Sequence, residues 1–347
     1  LSELVRVGRW TSTNSLEWLG HIARFTGLLW AITGFIALFI AWLVPGANNG
    51  DAPLFLLGLA GGLALATSFY AFSIGRTRIV VRRFTITQSR DTNDNSRGER
   101  TELLIAVLSD LHLGDFVSTA HIRRAVGISN NETPDVVLLV GDYVDKFGSL
   151  AVELVAELTM LEARLGVFAV LGNHDVECCD SPQLIDELEG DQTISLLRNT
   201  SAFVEIKPAG EVDGGLTSKT VQIVGIESPG DEWAEESDAL GKDVLRSELL
   251  GSAVDLTIVA SHHAEVIGAS AELAVDLVVA GHTHGGQLAL PFTGRLLSVG
   301  RLTAKYFLGL YEHGTTKLVV TAGIGVGVIP ARIGVPPEVA LIRVLLD

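Results

Sequence analysis

The sequence predicts a pair of membrane-crossing helices followed by an α/β layered domain, and three observations carry that reading. Two long runs near the N-terminus, Phe25–Val44 and Leu54–Ile74, contain no charged residue. From about Thr77 onward, short apolar runs alternate with helix-like stretches across polar turns, the pattern of a sheet layered with helices. The charge is divided as well. Residues 1–83 hold seven Arg against Glu3, Glu17 and Asp51, a balance of +4, so the rest of a chain of net charge −16 carries −20. At 347 residues and 48% apolar, the chain is too apolar to be disordered and long enough for one large or two modest domains.

Each apolar run is long enough to cross ~30 Å of hydrocarbon at ~1.5 Å per residue. Between them lies PGANNGDAP, rich in turn formers, which reads as a tight hairpin connection. Trp30, Trp42, Phe69 and Tyr70 include aromatics near the expected membrane interfaces. Buried core helices are the alternative, and a removable signal peptide has a shorter apolar region. Arg6, Arg9 and Arg24 precede the first run, Arg76, Arg78, Arg82 and Arg83 follow the second, and the connection has no basic residue. The positive-inside rule then places both ends, and the following domain, on the cytoplasmic face of a two-span cell-membrane protein. Gly58-x-x-x-Gly62 offers a close approach of the two helices. The expected organisation is a membrane region over residues 1–76 and a second domain over 77–347.

In the second part, strands are expected at Ile79–Ile86, Leu103–Leu108, Val136–Val140, Val167–Leu171, Val221–Gly225, Leu256–Ala260, Leu277–Ala280, Leu318–Thr321 and Val339–Leu345. Helices are expected at Thr119–Ile128, Leu150–Leu165, Pro182–Glu189 and Ala264–Ala274. Gln88–Arg100 reads as a polar loop, and the acidic stretch Asp231–Asp238 as a solvated loop or helix face.

The chemistry sits where five of the strands stop. They deliver Asp110-Leu111-His112, Gly141-Asp142-Tyr143-Val144-Asp145, Gly172-Asn173-His174-Asp175, His262-His263 and Gly281-His282-Thr283-His284. Ligands of α/β sheets bind outside the carboxyl ends of strands, so these residues can converge. Asp-x-His, Gly-Asp or Gly-Asn-His-Asp alone is ordinary turn chemistry; Gly-His-x-His is sharper, since its two imidazoles can serve two adjacent metals, and the five in this order point to a metal site. Oxygen and imidazole donors without thiolate suit Mn, Fe, Zn or similar ions. A net −20 argues against general affinity for nucleic acid backbones. The absence of a Walker-type Gly-rich loop or Ser nucleophile elbow argues against an NTPase or an α/β-hydrolase. Cys178 and Cys179 are neighbours and cannot cross-link a domain.

This order of motifs resembles the calcineurin-like metallophosphoesterase family. The ending GHTHGGQ, Pro291-Phe292 and Ala322–Glu338 (AGIGVGVIPARIGVPPE) resembles its membrane-associated bacterial phosphodiesterase branch, including UDP-2,3-diacylglucosamine hydrolases. Ala264 stands where that branch has Pro; His262 is the matching ligand, with His263 the alternative. The resemblance implies a four-layer α/β/β/α sandwich behind the transmembrane hairpin. It also implies two divalent ions, Mn first and Zn or Fe as alternatives. Asp110, His112 and His284 would hold one, Asn173, His262 and His282 the other, with Asp142 between them and a water activated by both. His174 would act as the acid, oriented by the Asp145 carboxylate, and Asp175 would cap its turn.

The expected function is therefore metal-dependent phosphoesterase action on a phosphodiester or pyrophosphate bond of a membrane-proximal lipid or nucleotide-lipid. The alternatives are a phosphodiesterase on soluble nucleotides and a non-catalytic metal-binding envelope protein. Arg332 reads either as a contact to substrate phosphate or as an ion-pair partner of Glu338. His21, His121 and His313 have no partners in sequence and read as surface or core residues, and the two cysteines as small buried thiols.

Overall fold

A computed structural model describes residues 15–43, 52–88, 101–145, 148–178, 181–207, 218–230, 234–250, 253–290, 296–327 and 329–346. The two apolar runs form helices α1 (Ser15–Leu43) and α2 (Ala52–Phe69), and α2 continues through a π-helical turn, Tyr70–Gly75. Within them, Ile22–Phe39 and Pro53–Gly75 are long and apolar enough to cross a membrane. Their large side chains, among them Phe35, Trp42, Phe55 and Phe69, point outward without cover, the arrangement that lipid and not water accommodates. The helices meet through other residues than Gly58 and Gly62, which have open space where a side chain would be. Gly61 lies under the Trp30 ring and Gly34 against Leu57, and Thr33 Oγ1 donates to the Ala60 carbonyl at 3.4 Å. The connection between the helices lies outside the described residues.

Two six-stranded sheets follow. In chain order the elements are β1 (Val80–Gln88), β2 (Thr101–Leu108), α3 (Thr119–Asn131), β3 (Val136–Val140), α4 (Ala151–Leu158), β4 (Gly166–Val170), α5 (Ser181–Gly190) and β5 (Ile194–Leu196). Then come β6 (Thr200–Ile206), β7 (Lys219–Ile226), α6 (Ala234–Glu248), β8 (Leu256–Ser261), α7 (Ile267–Glu272), β9 (Leu277–Ala280), α8 (Gly300–Thr303), β10 (Gly309–His313), β11 (Thr316–Val320) and β12 (Glu338–Leu346). One sheet runs β1-β12-β2-β3-β4-β5 and the other β10-β11-β9-β8-β7-β6. The strands that end at the chemistry, β2, β3 and β4 in one sheet and β8 and β9 in the other, run parallel within their sheets.

The sheets face each other across a core containing Ile105, Leu138 and Val170 from one and Ile223, Ile258 and Val279 from the other. Helices α3 to α5 cover the outer face of the first sheet through Ile122, Leu154 and Leu184. Helices α6 and α7 cover the second through Leu245 and Ile267. The result is the four-layer α/β/β/α sandwich. Strands buried on both faces read as continuous apolar runs, which is why β3 and β9 have the expected bounds. Three strands were not expected: β5, β6 and β10. The acidic stretch expected as loop or helix face enters α6 from Ala234. The loop expected over Gln88–Arg100 lies, beyond Gln88, outside the described residues.

The hairpin is seated on this sandwich. Ala71 and Phe72 of the π turn pack with Ala331, and Ile22, Phe25 and Ile333 close around them. Arg332 N donates to the Ala71 carbonyl at 3.2 Å, and a side chain at Gly75 would collide with the Arg332 carbonyl.

Candidate metal centre

The loops that leave β2, β3, β4, β8 and β9 meet at one end of the sandwich. Backbone hydrogen bonds lace them together: Asp110 N to Gly141 O (2.9 Å), His112 N to Asp142 O (3.0 Å) and Gly281 N to His262 O (3.1 Å). The segment after β11 closes from behind, with Gly325 N donating to Asp110 O at 2.7 Å. This lacing holds a strained backbone. Asp110, His112, Asp142, His282 and His284 have φ of 51°, 46°, 57°, 69° and 49°. Each such non-glycine residue costs ~1–3 kcal/mol, and strain of that kind concentrates at functional sites. Gly172 is required for a different reason: any Cβ there would collide with the Asp142 carboxylate.

The predicted ligands converge in groups. Asp110, His112 and His284 bring ligand atoms within 4.8 Å of one another, as do His112, Asp142 and His174, and Asp142, His262 and His282. Two pairs of ring nitrogens face each other: His112 Nε2 and His284 Nε2 at 3.1 Å, and His262 Nε2 and His282 Nδ1 at 3.2 Å. Two nitrogens bound to one ion at ~2.0–2.1 Å are separated by about this much. Asp142 Oδ2 lies 3.1 Å from His262 Nε2 and 3.5 Å from His112 Nε2, between the two pairs. Asp110 Oδ1 is buried without a hydrogen-bond partner and 3.5 Å from His284 Nε2. A buried carboxylate oxygen left in that state calls for a cation, so the residues fit divalent metal.

His262 is fully buried and donates Nδ1–H to the Val140 carbonyl at 2.7 Å, which turns Nε2 toward Asp142 and the centre. His263 directs Nε2 to Ser228 Oγ at 2.8 Å and packs its ring against that of His282, with centroids 4.5 Å apart. Asn173 is buried in the same loop. His174 donates its backbone N–H to Asp142 Oδ1 at 3.0 Å, and its Nδ1 lies 3.4 Å from the Asp145 backbone carbonyl.

Burial, and then the neighbouring imidazoles, push His112 and His282 down to about 3, so both are neutral, the form that ligates metal. Burial pushes Asp110 up to about 6. Burial opposes charge on Asp142 too, yet the surrounding His262, His174 and His112 hold its carboxyl well below the usual range. Burial alone would lower His262; the Asp142 charge reverses that and raises it from 6.5 to about 10.

This shift has a sign. A His raised on folding contributes stability that is fully present below pH 6.5 and lost as the pH rises through about 10. The shifts of Asp110, His112, Asp175, His263 and His282 act at about 7 or below. The metal-stripped chain is therefore expected to lose melting temperature between pH 7 and 10, and divalent metal, by displacing that proton, to remove the loss. Thermal melts of both forms across this range check it; parallel curves would contradict it.

Three residues do more than the sequence indicated. Asp175, fully buried, accepts from Asp142 N (2.7 Å), Tyr143 N (2.8 Å) and Gly172 N (2.8 Å), tying the β3 loop to the β4 loop. Tyr143 is buried with its hydroxyl on the Leu139 and Val170 carbonyls. Arg332 is fully buried, so it cannot meet substrate at the surface, and the carboxylate of Glu338 pairs with Arg82 instead. Its guanidinium donates to the carbonyls of Gly325, Ala322 and His284 and to His284 Nδ1 at 3.3 Å. The only sequence signal for these roles was adjacency: Asp175 follows the Asn-His pair, and Arg332 lies in the C-terminal Gly-rich segment.

A cavity of about 250 Å³ between the β2 loop and the end of the π turn is lined by Arg76, Thr77, Gly114, Phe116, His121 and Val326, among others. His121 is buried there with Nε2 3.1 Å from the Ile324 carbonyl. His313 is exposed and 3.5 Å from the Tyr306 hydroxyl. The side chains of His21, Cys178 and Cys179, and Pro291 and Phe292, lie outside what is described.

A model of the calcineurin-like phosphoesterase family matches residues 103–286, more than half of the chain. Among curated relatives, a Helicobacter pylori metallophosphoesterase is 29% identical over 70% of this chain and 60% of its own length. A Danio rerio transmembrane protein with metallophosphoesterase domain is 32% identical over 68% of this chain and 52% of its own. The Escherichia coli phosphodiesterase YaeI is 28% identical over 70% of this chain and 82% of its own. This chain thus spans less than two thirds of the first two relatives. With its motifs brought together at the sheet ends and its sequence matched across them, the chain belongs to the calcineurin-like phosphoesterase family.

Proposed function

We propose that the chain hydrolyses a phosphodiester or pyrophosphate bond in an amphiphilic phosphate ester presented by the membrane that α1 and α2 cross. The observation that carries the proposal is the convergence of Asp110, His112 and His284 on one side of Asp142, and of His262 and His282 on the other. Asn173 completes the second group. Two divalent cations held there, Mn in the first instance and Zn or Fe as alternatives, would neutralise phosphoryl oxygens and lower the pKa of an attacking water.

The protein's own part is orientation and proton supply. Asp142 turns Oδ2 to the centre while its Oδ1 accepts the His174 backbone N–H, and its backbone is fixed by Asp175. His174 is held at its backbone by Asp142 and at its ring by the Asp145 carbonyl. With Nδ1–H directed there, Nε2 is the atom that exchanges a proton with the leaving oxygen. Asp145 is a positioning residue for that ring. His174→Asn is expected to lower turnover of an alkyl diester by ~10²–10⁴-fold and that of a nitrophenyl diester, whose leaving group needs no proton, far less. Equal losses on the two substrates would remove His174 as the proton donor.

Residues 1–76 serve as the membrane region and 77–347 as the catalytic domain, on the cytoplasmic face. The Arg flanks of the two spans support that orientation, and the transmembrane relatives support the anchoring. The name of the YaeI relative favours a diester. The test is hydrolysis by the full chain in lipid nanodiscs of a nucleotide-diphospho-lipid and of its deacylated, water-soluble counterpart. A kcat/KM at least about tenfold higher for the lipid form is expected, since each buried methylene adds ~0.8 kcal/mol. Equal values would assign the enzyme to soluble nucleotides.

A further inference from the structure

Large apolar side chains are exposed in one patch of the sandwich as well as on the hairpin. Outside α1, α2 and the π turn, ten large hydrophobics are exposed among the described residues, and six of them form this group: Leu290, Leu296, Leu297, Val299, Leu302 and Ile329. Leu302 is 87% exposed. The other four, Val152, Met160, Phe203 and Leu250, come from separate elements. Apolar clusters of this kind mark a contact surface.

The patch is joined to the base of the hairpin by a short ladder. Ile333, like Ile22 and Phe25, packs against the cluster of Ala71, Phe72 and Ala331. Leu288 bridges Ile333, Ala289 bridges Ser298, and Leu290 N donates to the Leu297 carbonyl at 2.9 Å. The exposed leucines therefore sit two chain crossings from the point where α2 leaves its apolar span, and backbone hydrogen bonds fix that spacing.

The charge agrees with the position. From Leu277 to Tyr311 the sequence has no Asp or Glu, and it carries Arg295, Arg301 and Lys305, within a part of the chain whose net charge is −20. Arg301 and Lys305 are exposed next to Leu302. An apolar face bordered by basic residues is the composition that seats in the headgroup boundary of an anionic leaflet.

We propose that residues 288–290 and 296–305 form a third membrane contact, lying in the interface of the anionic leaflet beside the hairpin. Leu296, Leu297 and Leu302 enter the acyl boundary, and Arg301 and Lys305 meet lipid phosphates. His284 and Gln287 lead directly into this segment, so the metal centre is held against the membrane surface. The proposal rests on the reading of α1 and α2 as bilayer-spanning.

The experiment uses the full chain with Cys178→Ser and Cys179→Ser, reconstituted in phosphatidylcholine–phosphatidylglycerol vesicles with brominated acyl chains. Single cysteines carry an environment-sensitive fluorophore at Leu302→Cys, at Met160→Cys on the far connection after α4, and at Leu63→Cys within α2. Insertion by ~5–10 Å into the boundary predicts quenching at 302 at least about fivefold stronger than at 160, together with strong quenching at 63. Quenching at 63 with 302 no different from 160 would overturn the interfacial contact and leave the spanning hairpin intact. A blue shift at 302 without bromine quenching would mean that a second protein copy covers the patch, and would also overturn it. Absence of quenching at 63 would remove the spanning reading and this inference with it.

Discussion

Asp142→Asn is expected to reduce turnover by about a thousandfold or more, even with saturating metal. Loss of a single stabilising group at a reacting centre already costs ~10²–10³ in kcat, and this carboxylate stands between both groups of ligands. The substitution is close to isosteric. The amide side chain leaves in place the backbone N–H that Asp175 accepts and keeps an oxygen for the His174 N–H, so the loops hold their positions. What disappears is the negative charge that faces His262 Nε2 at 3.1 Å and His112 Nε2 at 3.5 Å. Turnover within about tenfold of the parent, measured on a diester with bound metal quantified, would exclude Asp142 as the shared ligand.

Asp175→Ala is expected to give the largest loss of stability. It removes the acceptor of three backbone N–H groups, all of them buried. Each unsatisfied buried group costs ~1–3 kcal/mol, and after partial relaxation a total of at least about 3 kcal/mol is expected. For a domain of this size that lowers the melting temperature by roughly 6 °C or more. Burial and the Asp142 charge already push the Asp175 carboxyl up to about 7 against those three donors. The side chain is therefore retained at an electrostatic cost because it sets the positive-φ turn of Asp142. A melting temperature within about a degree of the parent, on the metal-loaded chain, would show that the turn holds without it.

The cluster of Asp and His side chains at the sheet ends was legible because metal chemistry restricts residue type. Asp, Asn and His at strand ends are few, and the structure gathers them at one end of the sheets. Central strands were legible because burial on both faces leaves no polar residue to confuse them. What escaped has physical reasons. Strands β6 and β10 are sheet edges: Thr200–Ile206 is largely exposed or half-buried, and Gly309–His313 carries Tyr, Glu and His. Both resemble turns more than cores. Helix α6 begins inside an acidic run, and its buried Val244 and Leu245 come only after that run. Contacts made by backbone atoms leave no mark in residue type. The ring of His174 is met by the Asp145 carbonyl, and Arg332 is met by a set of carbonyls that only the folded C-terminal segment presents. Gly61, against Trp30, and not the Gly58–Gly62 pair, marks the helix contact, because facing is set by rotation about the helix and not by spacing alone.

A metal titration distinguishes the proposed two-ion phosphoesterase from every other reading of this acidic sandwich. The full chain, stripped of metal in detergent, is reloaded with Mn in substoichiometric steps while hydrolysis of an aryl phosphodiester and of the matching monoester is followed. No turnover is expected in the stripped chain, with diester hydrolysis rising to a break at about two ions per chain and a weaker rate on the monoester. A folded chain that binds its metal and hydrolyses neither ester, or that saturates at one ion, would contradict the two-ion reading.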